Sequence, residues 1–150
     1  MIKSIDKQKV LDICLQKQEE QVENFKSRVL SIKSDINDKT YSASQSEDRK
    51  AGKTEMLRIY EKELVFSTAD LDYLKSLNPS IEYPTVQPGA LVVTKELMFF
   101  VAISTEKFEI EGKTAVGISV NAPIYKTMMG LAKGESFQFN QSEYLIEELY

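Results

Sequence analysis

The chain has no histidine, no tryptophan and a single cysteine, Cys14. Each absence removes a class of chemistry. Without histidine the usual zinc sets and the Ser/His and Cys/His catalytic pairs cannot be assembled, and one cysteine cannot close an internal disulfide. Long apolar runs are missing too. The longest, LMFFVAI at 97–103, is too short to span a bilayer, and the opening MIKSIDKQKV lacks the apolar stretch of a secretory signal. The expectation is a cytoplasmic protein without membrane contact. A surplus of positive charge is also absent: a net charge of −4 argues against a protein that coats nucleic acid by counterion release, while leaving room for local basic contacts.

What is present is an ordinary globular composition, 42% hydrophobic and 28% charged, over 150 residues. That length holds one ordinary domain or two small ones. Two periods divide it. Leu11, Leu15, Gln18, Val22, Phe25, Val29, Ile32 and Ile36 recur at alternating steps of four and three, which is a heptad seam. Leu57, Tyr60, Leu64, Ser67, Leu71 and Leu74 repeat the alternation until Asn78-Pro79 stops it. Two seams around one bend predict an antiparallel coiled-coil hairpin over residues 1–78. In a register where paired numbers sum to 85 or 86, Phe25 meets Tyr60, Val22 meets Leu64, and Gln18 meets Ser67. The polar residue of each seam then finds the other, a known way of fixing register. A first helix from about residue 4 to residue 36 would be roughly 45 to 50 Å long at ~1.5 Å per residue. Such a rod holds its bend far from the rest of the chain.

The bend, NDKTYSASQSEDRK at 37–50, is polar. Beyond Leu57 the seam positions become Lys53 and Lys50, so apolar packing fades toward it. Ser44 and Glu47 have the spacing of a capping box at the start of the second helix. After the hairpin, residues 79–88 hold three of the four prolines and read as a linker. From residue 89 the period becomes that of strands: 90–94, 97–104, 107–110 and 114–120, with Glu111-Gly112 as a hairpin turn. Residues 123–132 read as a short helix opened by Pro123 and ended by Lys133-Gly134. ESFQFN is a further strand, and EYLIEEL reads as one closing strand. The fold class is therefore α+β, a helical hairpin followed by a small α+β domain over 89–150.

The stretch Ile118-Ser119-Val120-Asn121-Ala122-Pro123-Ile124, continuing through Met128-Met129-Gly130 to Lys133-Gly134-Glu135, resembles the C-terminal signature of the Gre transcript-cleavage factors. Ala122 stands where that family usually has serine, and Glu135 where it has aspartate. The bend does not repeat the family's G-D-L-S-E-N-A-E-Y tip. The resemblance implies a transcription factor that binds RNA polymerase on its DNA: an FKBP-like C-terminal domain docks at the rim of the secondary channel and the coiled-coil finger enters it. It further implies tip carboxylates that help hold a Mg²⁺ ion shared with the polymerase active site, where hard oxygen ligands suit the metal. On that reading the chain has no resident cofactor and no complete active site of its own, and works as a monomer.

The acids near the bend are Asp35, Asp38, Glu47 and Asp48. Glu47 and Asp48 stand in a first helical turn, where the dipole and free amides already account for a carboxylate, Glu47 more than Asp48. Asp38 has no such local role. Asp38 and Asp48 are thus the preferred functional acids and metal ligands, with Asp35 and Glu47 behind them. Arg49, Lys50 and Lys53 offer contacts to RNA or to polymerase acids, against the alternative of a solvated helix face. Tyr41 either stacks on a base of nascent RNA or folds onto the hairpin. Pro123 and Ile124 are the partner-binding candidates of the second half. Two rival readings remain: a coiled-coil interaction module that binds another partner or itself, and an isomerase or chaperone built on the C-terminal domain. The second is weakened because the tryptophan-floored pocket of FKBP-type isomerases cannot exist here.

Overall fold

The structure, a computed structural model, describes residues 6–37 and 43–150, with backbone alone for 43–49. Two long helices, α1 (Lys7–Ile36) and α2 (Ala43–Ser76), precede seven strands and one short helix. Asp6 starts α1: its side chain accepts the Gln8 N–H at 2.9 Å and its carbonyl accepts the Lys9 N–H at 3.1 Å. Capping by aspartate satisfies amides that the first turn leaves orphaned. No helix among the described residues is long and apolar enough to cross a membrane.

The chain divides into two compact units. One is residues 16–72, the helical hairpin. The other joins the opening turns of α1, up to Leu15, to Tyr73–Tyr150. In this second unit β3 (Phe108–Ile110), β4 (Lys113–Ile118), β2 (Met98–Val101), β1 (Leu91–Val93) and β7 (Glu148–Leu149) form a five-stranded sheet in that order. It is mixed: β2 and β4 run parallel, and the other pairs antiparallel. Helix α3 (Pro123–Met128) and the hairpin of β5 (Ser136–Phe139) and β6 (Ser142–Leu145) complete the unit.

Both faces of the sheet are covered. Leu91, Val93, Met98 and Phe100 point to one side, where Val10, Leu11 and Cys14 of α1 and Leu74 of α2 join their cluster. Val92, Phe99 and Val101 point to the other and pack with Tyr125 and Met128 of α3, Phe137 and Ile146. A strand buried on both faces reads as an unbroken apolar run, which explains LMFFVAI. The proline-bearing segment is tied in. Val86 is buried, donates its N–H to the Leu131 carbonyl at 2.8 Å and accepts from Gly130 at 2.9 Å.

Two sequence expectations change. The helix expected over 123–132 ends at Met128, because Gly130 adopts a φ of 78° that leaves the helical region. The single closing strand is two strands in different sheets. Ile146 makes the break: its N–H reaches the Glu135 carbonyl on the β5 side, and the next residue, Glu147, donates to Val93 of β1. Of the neighbours Met128 and Met129, the first is buried and the second exposed.

Candidate partner interface on the helical hairpin

Helices α1 and α2 pair antiparallel within the hairpin unit, in the register the heptads predict. The Gln18 side-chain amide donates to the Ser67 carbonyl at 2.9 Å, and both residues are buried. Phe25 and Tyr60 pack their rings at a tilt of 41°, with centroids 6.2 Å apart. The burial pattern follows the seams: Val22, Val29 and Ile32 are buried on α1, and each is followed by an exposed residue. On α2, Lys53, Leu57, Tyr60, Leu64, Ser67 and Leu71 are the residues withdrawn from solvent between Lys53 and Leu71. The polar contact differs in one respect from a side-chain pair. Gln18 bonds to the main chain of α2, and a small residue at position 67 gives it access.

Toward the bend the seam turns ionic. Lys53 holds the Asp35 carboxylate at 2.8 Å across the two helices, and Lys33 lies 3.9 Å from Glu61. Arg28 sits over the Tyr60 ring, 5.4 Å from its centroid. Lys50 is exposed. Asp35 is therefore committed to an interhelical ion pair, and a metal would have to compete with Lys53 for it. Asp38 and Tyr41 lie outside the described residues. So do the side chains of Glu47, Asp48 and Arg49; the α2 backbone already begins at Ala43, so Ser44 stands inside the helix and not at its N-cap, and Glu47 and Asp48 fall after its first turn, contrary to the capping-box expectation. Among the described residues no group of three or more His, Cys, Asp or Glu side chains is placed to hold a metal ion.

A second candidate surface lies where β4 passes into α3. Ile118 ends β4, the Ala122 N–H donates to the Ser119 carbonyl at 3.1 Å, and Pro123 opens the helix. Pro123 is exposed, whereas Ile124 is half-buried against the core on that side of the sheet. Ala122 occupies the N-cap with extended backbone and no side-chain hydrogen bond, since alanine has no oxygen to offer. Glu135 accepts the Ala132 N–H at 3.0 Å and so closes the turn after α3.

Sequence reasoning missed Lys7. It is 6% exposed, donates to the Ile81 carbonyl at 2.8 Å, and lies 4.6 Å from the centre of the Tyr83 ring. Burial lowers its pKa to about 8, partly opposed by the nearby Glu82 carboxylate. These partners come from the proline-bearing segment, 74 residues away in the case of Ile81, so no local pattern announces them.

Comparison with known proteins adds structural similarity to a solved protein. The chain is similar to the GreA factor homolog 1 protein of Thermus thermophilus, with a TM-score of 0.35 and 15% identity over 95% of this chain and 93% of that one. No protein-family model and no curated protein matches the chain. The functional reading therefore rests on this chain's own residues.

Proposed function

We propose that this chain is a Gre-like transcription factor that binds RNA polymerase and inserts its coiled-coil hairpin into the secondary channel, modulating elongation. The observation that carries the reading is the hairpin itself: two long helices paired in one register, fixed by Gln18 with Ser67 and by Phe25 with Tyr60. It stands on the same chain as the Ile118–Glu135 signature, which forms the β4-to-α3 passage and the turn after it. A two-stranded rod buries little except its seam, so most of its surface is left for a partner. Asp35, neutralised by Lys53, favours occupancy of the channel over donation of a metal ligand. On this reading the protein lends the polymerase at most a carboxylate from the bend, Asp38 or Asp48, and carries out no reaction alone.

The test is a stalled, backtracked elongation complex with Mg²⁺ present. Addition of the protein is expected to change the elongation rate while the RNA keeps its length. RNA shortened in a manner that depends on Asp38 or Asp48 would instead make it a cleavage factor. Failure to co-elute with the polymerase, together with unchanged elongation, would defeat the reading.

A further inference from the structure

Charge is sorted along the hairpin. Residues 26–36 and 50–59, the part nearer the bend, carry six cations, Lys26, Arg28, Lys33, Lys50, Lys53 and Arg58, against two carboxylates, Asp35 and Glu55. Residues 16–25 and 60–72 carry seven carboxylates against Lys17 and Lys62. Opposite signs thus occupy the two lengths of one rod.

One side of α2 adds an exposed apolar row. Met56, Ile59 and Phe66 stand with Glu63 and Asp70 at alternating steps of three and four, each one residue ahead of a seam position. A one-residue offset rotates the row about 100° from the seam, which leaves it outside the α1–α2 contact. The three apolar members are 47%, 50% and 55% exposed. Lys62 lies 5.9 Å from the centre of the Phe66 ring and covers part of it. A row at heptad spacing is the pattern by which one helix accepts another along its length.

We propose that this row is a self-association surface on which a second copy of the chain lies antiparallel, making a two-fold bundle of two hairpins. The charge pattern selects both occupant and direction. A parallel copy would set cation beside cation, whereas an antiparallel copy sets the basic length of each hairpin beside the acidic length of the other. A two-fold axis between Glu63 and Phe66 brings Ile59 of one copy level with Asp70 of its partner and Met56 level with Tyr73, with the two copies of Phe66 flanking the axis. Arg58, and Arg28 at the level of Tyr60, then face the Asp70–Asp72 end. Asp70 has no ion-pair partner among the described residues, and burial raises its pKa, so an incoming guanidinium supplies what a single copy lacks. Arg58 holds Glu55 in the single copy and keeps donors to spare. The association does not depend on the polymerase reading; where both hold, it gives a stored form whose hairpin surface is covered.

Sedimentation equilibrium of the full chain, from micromolar to near-millimolar concentration, tests the proposal. The expected result is a monomer–dimer equilibrium whose dissociation constant rises about tenfold or more from low to molar salt, as screening removes the charge pairing. Phe66→Glu should return the chain to monomer with its helical circular dichroism intact. Arg58→Asp and Asp70→Arg should each weaken the dimer, and the two together should restore it. A monomer at every concentration, a dimer indifferent to Phe66→Glu, or a double variant weaker than both singles would overturn the proposal. A monomer whose Phe66→Glu variant loses RNA polymerase would overturn it as well, and would give the row to the polymerase.

Discussion

The hairpin and the sheet unit solve the same problem differently. In the sheet unit strands β1 and β2 are buried on both faces, and residues 90–94 form a continuous run withdrawn from water. In the hairpin each helix buries a single seam, and the rest of its surface is wet. Burying apolar surface gives about 25 cal/mol per Å², so a unit covered on two faces draws far more from its interior than a two-stranded rod can. The rod compensates with specificity. A buried glutamine, an aromatic pair and an interhelical ion pair fix its register while adding little to stability. One region is thus made to be stable and the other to present a surface.

This contrast can be broken most severely at Gly117. A Cβ there would collide with the Ile103 carbonyl oxygen and sit 2.8 Å from Thr105 Cγ2, and the Thr105 hydroxyl that accepts the Gly117 N–H would be displaced. Gly117→Ala should therefore cost about 3 kcal/mol, the upper end for overpacking. Urea denaturation followed by circular dichroism measures it; a cost below about 1 kcal/mol would show that the β4 strand can shift.

Lys7 tests the same unit through pH. Its folded pKa of about 8 lies below the ordinary lysine value of 10.5, so above pH 8 the folded state gives up its proton while the unfolded chain keeps it. Stability should then rise as pH goes from 8 toward 10.5, and below 8 the cost of the buried charge is present in full. Tyr73, whose pKa burial raises, releases its proton more readily unfolded and erodes stability at higher pH, so the useful window closes near 9.5. Lys7→Met should flatten the rise between pH 8 and 9.5. A slope of the same size in the variant would assign the effect elsewhere.

Two smaller effects sharpen the comparison. Ala122→Ser supplies the missing N-cap oxygen of α3 and should stabilise by about 1 kcal/mol, read as a raised melting temperature. Gln18→Leu with Ser67→Leu replaces the buried polar contact by apolar packing and should raise the melting temperature by the equivalent of about 1 kcal/mol or less. A clear loss of stability in the double variant would mean that the glutamine–carbonyl bond supports the rod as well as aligning it.

What could be read in the sequence follows the same division. The seams were legible because a rod has one packing surface, and a 3.5-residue period can be written only one way along it. The strands were legible through alternation, and the Glu111-Gly112 turn through its glycine, which has a φ of 78°. EYLIEEL failed because its alternation runs unbroken across Ile146, where the chain leaves one sheet for another, and the cause lies in partners at Glu135 and Val93. Lys7 failed for a like reason: a lysine ahead of a heptad looks solvated until Ile81 and Tyr83 arrive from across the chain. Of the candidate acids, Asp35 resolved into an ion pair with Lys53 that the sequence could not specify, since the pair joins opposite sides of the bend.

On the proposed function, the bend end of the hairpin is the part that enters RNA polymerase. A cleavage-generating iron chelate attached at Lys50→Cys, an exposed position, reports it directly, because Cys14 is buried and should be spared by the label. In a complex with core polymerase the chelate should cut the catalytic subunits beside the active centre, while a chelate at exposed Val120 should cut only the outer surface. Cuts beside the active centre from Val120 and none from Lys50→Cys would contradict the account.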